Sequence, residues 1–132
     1  MKMRNTILLV SIIFFPILVF GQKDSTTIDL PFILKCWTNS REEAAQSSIS
    51  IFRPCDYKTF PPSRFRDQIQ FEVDGKCSFL YLAPNDGHHL VPGKWIYDKP
   101  NQNVLITDTT GHIVYNFKVI SISMDLFKVQ EQ

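Results

Sequence analysis

Apolar and polar residues alternate in short runs along most of this chain, a period of two that predicts β-strands. The alternation is clearest from 93 to 129, where short runs are separated by turn-forming proline, asparagine and glycine. Strand spacing of about ten residues without a long helix is typical of a small all-β domain. A ladder of this kind has to bury one face, and in a chain this short the economical arrangement is a closed barrel.

The upstream half adds strands of the same kind. Asp74 and Gly75 form a strong tight-turn signal between two alternating runs, which predicts a hairpin at this position. Together with the later runs, this gives an antiparallel up-and-down meander of about eight strands. The first four predicted strands cover 31–38, 50–53, 68–73 and 77–83.

Two connections between these strands have local signals of their own. Ser40 and Glu43 have the spacing of a capping box, which predicts a short helical turn after the first strand. The stretch 55–67 contains two adjacent prolines, yet it retains Tyr57, Phe60 and Phe65. A flexible linker lacks such aromatic residues, so we expect an ordered loop.

The first 21 residues have the pattern of a cleaved signal peptide. Lys2 and Arg4 precede an apolar run over 7–20, and Gly21 marks the expected cleavage site. A membrane anchor is the alternative, but about 14 residues form roughly 21 Å of helix, against a hydrocarbon core of about 30 Å. We therefore expect one mature domain over 22–132, secreted or periplasmic, without stable membrane insertion.

The charge balance limits the class of partner. The full chain has 14 basic and 13 acidic residues, and a formal net charge of +1. Cleavage after Gly21 removes two basic residues and no acidic one, which leaves a net charge of −1. A near-neutral chain does not favour a nucleic-acid partner. No sequence pattern indicates a cofactor, and a protein partner stays unknown.

Three cysteines, Cys36, Cys55 and Cys77, lie in the mature chain. An oxidising compartment favours one disulfide between two of them, and the sequence does not decide which two. Buried, unpaired thiols are the alternative. None of the three lies in a Cys-x-x-Cys pair, so neither a zinc site nor a redox motif is indicated.

From Gly93-Lys94-Trp95 onward the chain resembles the lipocalin-like domains of secreted bacterial proteins, in which a Gly-x-Trp opens a strand and hairpins follow. Trp37 takes the place of a second such tryptophan, with Lys35 where the glycine stands in the family. The upstream half is similar to an uncharacterised subgroup with Trp-x-x-Ser-x-Glu-Glu, Arg-Pro and Phe-Pro-Pro-Ser-Arg elements. The resemblance implies a calycin-type barrel, closed or half-open, in a bacterial envelope protein, and it implies no settled activity.

Two groups of residues are candidates for ligand binding. The charged group can either form an internal salt-bridge network or bind an acidic headgroup, because guanidinium forks match carboxylates. The aromatic group can either line a cavity or simply fill the barrel, since eight strands enclose little more than their own side chains. The charged residues are Arg41, Glu42, Glu43, Arg53, Arg64 and Arg66, and the aromatic residues are Trp37, Tyr81, Trp95 and Tyr97.

Catalysis is not indicated. Glu42 and Glu43 are adjacent in sequence and point apart, whereas a glycosidase needs two carboxyls facing one sugar. His88 and His89 lie in a turn-rich segment without the spacing of a metal site. We expect a non-enzyme, without a metal, that binds a small hydrophobic or amphipathic ligand. The alternative is a structural or protein-interaction module of the cell envelope with a filled core.

Overall fold

The computed structural model describes residues 29–45, 48–85 and 87–132. The expected signal peptide and its cleavage site lie outside this part of the chain. Eight antiparallel strands form a closed barrel, which confirms the expected all-β, lipocalin-like fold. The strands are β1 Cys36–Asn39, β2 Ile49–Pro54, β3 Gln68–Phe71, β4 Lys76–Leu82, β5 His88–Asp98, β6 Asn103–Asp108, β7 Ile113–Ile122 and β8 Phe127–Glu131.

Helical structure is limited to single turns in the described residues. An α-helical turn, α1, covers Leu30–Ile33, and 3-10 turns cover Arg41–Glu43 and Val73–Gly75. None of them approaches the length and apolarity needed to cross a membrane.

From β3 to β8 each strand pairs with the next strand in sequence, but the positions of β1 and β2 in the barrel are exchanged. β1 lies between β2 and β3, and the barrel closes where β2 pairs with β8. The connection from β2 to β3, residues 55–67, which we call the crossover loop, therefore passes along β1. It begins where Cys55 N donates to Cys36 O at 3.1 Å, and it ends where Asn39 N donates to Asp67 O at 2.9 Å.

A disulfide joins Cys36 to Cys55, so the crossover loop is covalently attached to β1 at its start. This resolves the pairing that the sequence left open. Cys77 is free and buried, and burial raises the pKa of its thiol to about 11. A thiol in this state behaves as a small apolar side chain.

The prediction of one strand over 31–38 was wrong in its first half. Pro31 stands at the start of α1, where a missing backbone N–H costs little, and the strand begins only at Cys36. The Ile33 side chain is fully buried, and its carbonyl accepts a hydrogen bond from Trp37 Nε1 at 3.0 Å. The turn thus covers one end of the barrel, which we call the closed end.

The expected hairpin of β3 and β4 is confirmed. Asp74 and Gly75 both adopt positive φ, at 60° and 69°, as the tight turn requires. Gly93 has a different role, because a Cβ atom there would lie 2.5 Å from Thr107 O and 2.9 Å from a Phe79 ring atom. The glycine of the Gly-x-Trp element is therefore needed for the close approach of β5 to its neighbours.

Aromatic side chains fill the barrel from the closed end upward. Trp95 contacts Phe71 with ring centroids 5.4 Å apart, and Trp37 contacts Phe127 at 5.5 Å. Phe117 continues the series, stacked on Tyr115 at 5.1 Å. Because these rings contact one another directly, much of the interior is occupied by the protein's own side chains. The other buried core residues are Ile33, Phe52, Ile69, Cys77, Phe79, Val104, Ile106, Val119 and Val129.

Candidate functional site

Polar side chains lie at the end of the barrel opposite α1, which we call the mouth. Strand side chains alternate between faces, so a residue two positions from a buried one points to the same side. Asn39 stands two residues after Trp37, and Tyr115 two residues before Phe117. By the same rule the inward-facing residues of the mouth include Asn39, Ser50, Asp67, Tyr115 and Glu131.

Tyr115 and Asp67 form the centre of the mouth. The Tyr115 hydroxyl donates to Asp67 Oδ1 at 3.1 Å. Burial, with the nearby Asp67 carboxylate, raises the pKa of Tyr115 well above its usual value of 10, so the phenol stays protonated as a donor. The Asp67 carbonyl also accepts from Thr38 Oγ1 at 3.3 Å. Asp67 is thus fixed at the point where the crossover loop enters β3.

A polar cleft of about 390 Å³ opens at the mouth, and Asp67, the hydrogen-bond partner of Tyr115, is part of its wall. Asn39 lies in its wall, only 6% exposed, and among the described residues its Oδ1 has no hydrogen-bond partner. A buried acceptor without a partner costs about 1–3 kcal/mol, so this atom is an unfavourable feature of the mouth. The lining residues are Asn39, Arg41, Ala44, Ala45, Ile49, Ser50, Asp67 and Glu131.

A second, more apolar cleft has a volume of about 470 Å³. Its wall includes Phe79, which meets the Tyr115 ring edge-on with centroids 6.2 Å apart. Tyr81 also lines it and contacts the His89 ring at 5.7 Å. The remaining lining residues are Val91, Pro92, Asp108, Thr109 and Val114.

A third cleft, the basic cleft, has a volume of about 420 Å³ and lies at the rim between the crossover loop and the β4–β5 hairpin. It shares Arg41 with the polar cleft. Its lining residues are Arg41, Ser63, Arg64, Phe65, Leu82 and His88. A fourth cleft, of about 530 Å³, lies apart from these three beside the disulfide, where Lys35 Nζ donates to Met124 O at 2.7 Å.

Two of the predicted arginines are held by the two glutamates. Arg53 binds Glu43 in two-point fashion, at 3.0 and 2.7 Å, and Arg66 binds Glu42 at 2.6 and 3.1 Å. The hydrogen bonds from these guanidinium groups lower the pKa of both carboxyls from 4.5 to about 2. The expected capping box is not formed, since Ser40 makes no side-chain cap and Glu43 binds Arg53 instead.

The same arginines also anchor the crossover loop. Arg66 donates to the carbonyls of Asn39 at 2.7 Å and of Pro61 at 2.8 Å, and lies 5.3 Å from the Phe60 ring centroid. Arg53 lies 4.7 Å from the Tyr57 centroid. The pairs therefore form the internal network that was one of the two interpretations from sequence. Ligand contact by Glu42, Glu43, Arg53 or Arg66 stays a prediction.

Arg41 and Arg64 have a different environment. The Arg41 side chain is 51% exposed and its nearest carboxylate oxygen, Asp67 Oδ2, is 3.7 Å away. Arg64 is exposed, and within the described part of the chain it makes no hydrogen bond or ion pair. Both line the basic cleft, so two of the predicted charged residues are brought together with free donors.

The predicted aromatic residues are distributed between the core and the mouth. Trp37 and Trp95 are buried, and Trp95 Nε1 donates to Glu72 O at 3.0 Å. Tyr97 is partly buried and packs against the core, whereas Tyr81 is exposed and lines the apolar cleft. Neither tryptophan lines any of the clefts described above. A role in binding for these four residues stays a prediction.

The sequence analysis did not single out Asn39, Asp67, Tyr115 or Glu131. A signal was present, because each occupies the inward position at the end of a strand whose other inward positions are apolar. Where the next inward-facing position after a series of apolar ones holds a polar residue, the barrel interior ends. In the described ranges, no group of three or more His, Cys, Asp or Glu residues is placed to hold a metal ion.

Comparisons of the chain with protein-family models, with curated proteins and with solved structures gave no match. The barrel topology therefore rests on the described strands alone, and the resemblance to lipocalin-like domains stays an expectation from sequence.

Proposed function

We propose that this chain is a noncatalytic, lipocalin-like binding protein that takes a small amphipathic molecule at the mouth of the barrel. The observation that carries the proposal is a pair of clefts, one polar and one more apolar, that Tyr115 links. Its hydroxyl donates to Asp67 in the wall of the first cleft, and its ring contacts Phe79 in the wall of the second. Volumes of about 390 and 470 Å³ lie within the usual range of about 300–1,000 Å³ for small-molecule pockets.

The mouth is favoured over the deep interior because of the packed rings. Phe71, Phe117 and Phe127 contact one another or the tryptophans, so their rings occupy much of the interior that a ligand would need. Secretion or periplasmic location is part of the proposal, and the Cys36–Cys55 disulfide supports an oxidising compartment.

The proposal is tested with 1-N-phenylnaphthylamine, a neutral aromatic probe whose fluorescence rises in apolar sites. We expect saturable binding to the mature protein, and a loss of at least about tenfold in affinity for Val114→Trp, since a larger side chain occupies the apolar cleft. The matched control is Ile120→Trp on the same strand, because Val114 and Ile120 are 37% and 38% exposed and only Val114 lines the cleft.

A second candidate is a structural or protein-interaction module, favoured by the filled aromatic core. On that hypothesis neither protein gains probe fluorescence beyond a surface background. Equal probe affinity in Val114→Trp and Ile120→Trp would also contradict binding at the mouth. Native mass spectrometry of protein made in its own host then shows whether a small molecule copurifies, which separates the two candidates independently.

A further inference from the structure

We propose that the basic cleft binds the anionic headgroup, a carboxylate or a phosphate monoester, of the amphipathic ligand. This inference rests on the proposed function and names the chemistry of the ligand. The cleft is lined by two guanidinium groups, Arg41 and Arg64, together with the His88 imidazole and the Ser63 hydroxyl. No Asp or Glu is among its described lining residues, and Asp67, whose Oδ2 lies 3.7 Å from the Arg41 guanidinium, lines the neighbouring polar cleft instead.

Arg64 and its neighbour Arg66 differ in their partners among the described residues. Arg66 lies two residues further along the same loop, and its guanidinium is held by Glu42 and by two backbone carbonyls. Arg64 has no such partner in the described residues, and its donors remain available for an oxyanion. Planar guanidinium forks bind carboxylate and phosphate oxygens in two-point fashion, which gives the strongest class of hydrogen bond.

The loop that presents Arg64 is fixed on both sides. The Ser63 Oγ hydroxyl donates to Phe65 O at 2.8 Å, so a hydrogen bond joins the residues on either side of Arg64. The Arg66 guanidinium donates to Pro61 O, also at 2.8 Å, and this second bond holds the segment 61–66 together. A backbone held in this way loses less entropy when the side chain binds a ligand. The ion pair of Arg66 with Glu42 thus serves the cleft indirectly, by positioning the loop.

Arg41 contributes a second fork from the 3-10 turn Arg41–Glu43. The distance of 3.7 Å to Asp67 Oδ2 is too long for a hydrogen bond, so the Arg41 guanidinium does not have to give one up to bind an anion. Arg41 also lines the polar cleft, which places it at the junction of the two sites.

The basic cleft also has an apolar wall, which the carbon atoms next to the headgroup can contact. Phe65 and Leu82 line it beside the arginines, and Leu82 is 43% exposed. The Phe65 ring meets His88 edge-on, with centroids 5.7 Å apart and an interplanar angle of 84°, so the two rings form one wall. An alkyl or aryl group attached to the anion can bury this surface, whereas a free inorganic anion cannot.

The test compares compounds with one eight-carbon chain and different headgroups: octanoate, octyl phosphate, octylammonium and 1-octanol. Dissociation constants are measured by nuclear magnetic resonance titration of the mature protein with its disulfide intact. We expect the two anions to bind at least about tenfold more tightly than the alcohol, since a charge-assisted hydrogen bond to a guanidinium supplies this difference. Octylammonium should bind more weakly than the alcohol.

Acetate and inorganic phosphate separate an amphipathic ligand from a free anion. We expect both to bind at least about tenfold more weakly than their eight-carbon counterparts, because they bury none of the apolar wall. Inorganic phosphate that binds as tightly as octyl phosphate would overturn the amphipathic part of the inference.

Arg64→Gln and Arg41→Gln should each weaken octanoate about tenfold and leave 1-octanol unchanged. Lys118→Gln is the control, since Lys118 is exposed on β7 and lines none of the described clefts. Alcohol and ammonium affinities equal to that of octanoate, or an unchanged octanoate affinity in Arg64→Gln, overturn the inference. If 1-N-phenylnaphthylamine still binds in a Val114-dependent way, the proposed function stands, and if neither probe nor octanoate binds, both fail.

Discussion

The two ends of the barrel differ in the hydrogen bonding of their buried polar groups. At the closed end, the indole N–H groups of Trp37 and Trp95 donate to the carbonyls of Ile33 and Glu72, each at 3.0 Å. At the mouth, Asn39 is almost as deeply buried, but its Oδ1 has no partner in the described residues. The two indole donors are thus satisfied by the chain, whereas Asn39 Oδ1, like Ser40 Oγ and Asn116 Oδ1, is buried without a partner among the described residues.

The difference separates a contribution to stability from a contribution to function. A hydrogen bond that joins a buried donor to a carbonyl stabilises a fold by about 1 kcal/mol, while an unpaired buried acceptor costs about 1–3 kcal/mol. Proteins accumulate such unfavourable groups at functional sites, where a ligand satisfies them. The contrast therefore predicts that substitutions at the closed end mainly change folding, and that substitutions at the mouth mainly change binding.

The largest effect is expected on β1, which contributes to both ends. Trp37→Ala should lower the free energy of unfolding by about 3–5 kcal/mol, because it leaves a large cavity and removes the hydrogen bond to Ile33. Asn39→Ala, two residues further on, should cost less than about 1 kcal/mol, since no side-chain hydrogen bond is lost. Denaturant titration of both variants measures the difference.

A matched loss in the two variants would contradict the comparison, because it would mean that Asn39 is as important to the fold as Trp37. If Trp37→Ala does not fold, Trp37→Phe retains most of the packing and tests the same indole hydrogen bond. A smaller loss, but one still larger than that of Asn39→Ala, is then expected.

Local sequence signals predicted much of the barrel but not how it begins. The Asp74-Gly75 turn and the alternation of β4 to β8 depend on neighbouring residues, and these elements were confirmed. The start of β5 was not, because the strand begins at His88, inside the segment expected to be turn-rich. The position of β1 between β2 and β3 depends on pairing across the long crossover loop, and no local pattern reports such pairing. The strand predicted from residue 31 was wrong for a related reason. Ile33 fits the pattern of an alternating strand and equally the inner side of α1.

The sequence predicted which types of residue form the candidate site, but not the role of each residue. The sequence indicated that Arg41, Arg53, Arg64 and Arg66 either pair with glutamates or bind an acidic group. Which arginine has which role depends on where the crossover loop passes, and that follows from the exchange of β1 and β2. Arg53 and Arg66 face the 3-10 turn and its glutamates, and Arg64 does not.

An intermediate effect is expected from this division within the crossover loop. Arg66→Gln should lower the free energy of unfolding by about 1–3 kcal/mol, because it leaves Glu42 and the carbonyls of Asn39 and Pro61 without their donor. Arg64→Gln should stay within about 0.5 kcal/mol of the parent, as an exposed substitution without partners. Denaturation of both variants at one pH and salt concentration provides the comparison, and equal losses would mean that Arg64 anchors the loop as well.

The smallest effect is expected from acid. Glu42 and Glu43 have pKa values of about 2 in the folded protein, below their ordinary value of 4.5. A lowered folded-state pKa gives stability that is fully present above about pH 4.5 and is lost as the pH falls towards 2. The free energy of unfolding should therefore decrease through this window, and less steeply in Glu43→Gln, which has one of the two carboxyls removed.

Acid should also act unequally on the two ends of the barrel. Glu42 and Glu43 lie in the 3-10 turn that follows β1 at the mouth, while the hydrogen bonds of Trp37 and Trp95 involve no group that titrates in this window. Amide exchange measured between pH 4.5 and 2.5, corrected for intrinsic rates, should show protection lost first around Arg66 and the 3-10 turn. Simultaneous loss at Trp37 would mean that the mouth and the closed end unfold as one unit, and that the division between a stable end and an adaptable end does not extend to the dynamics of the barrel.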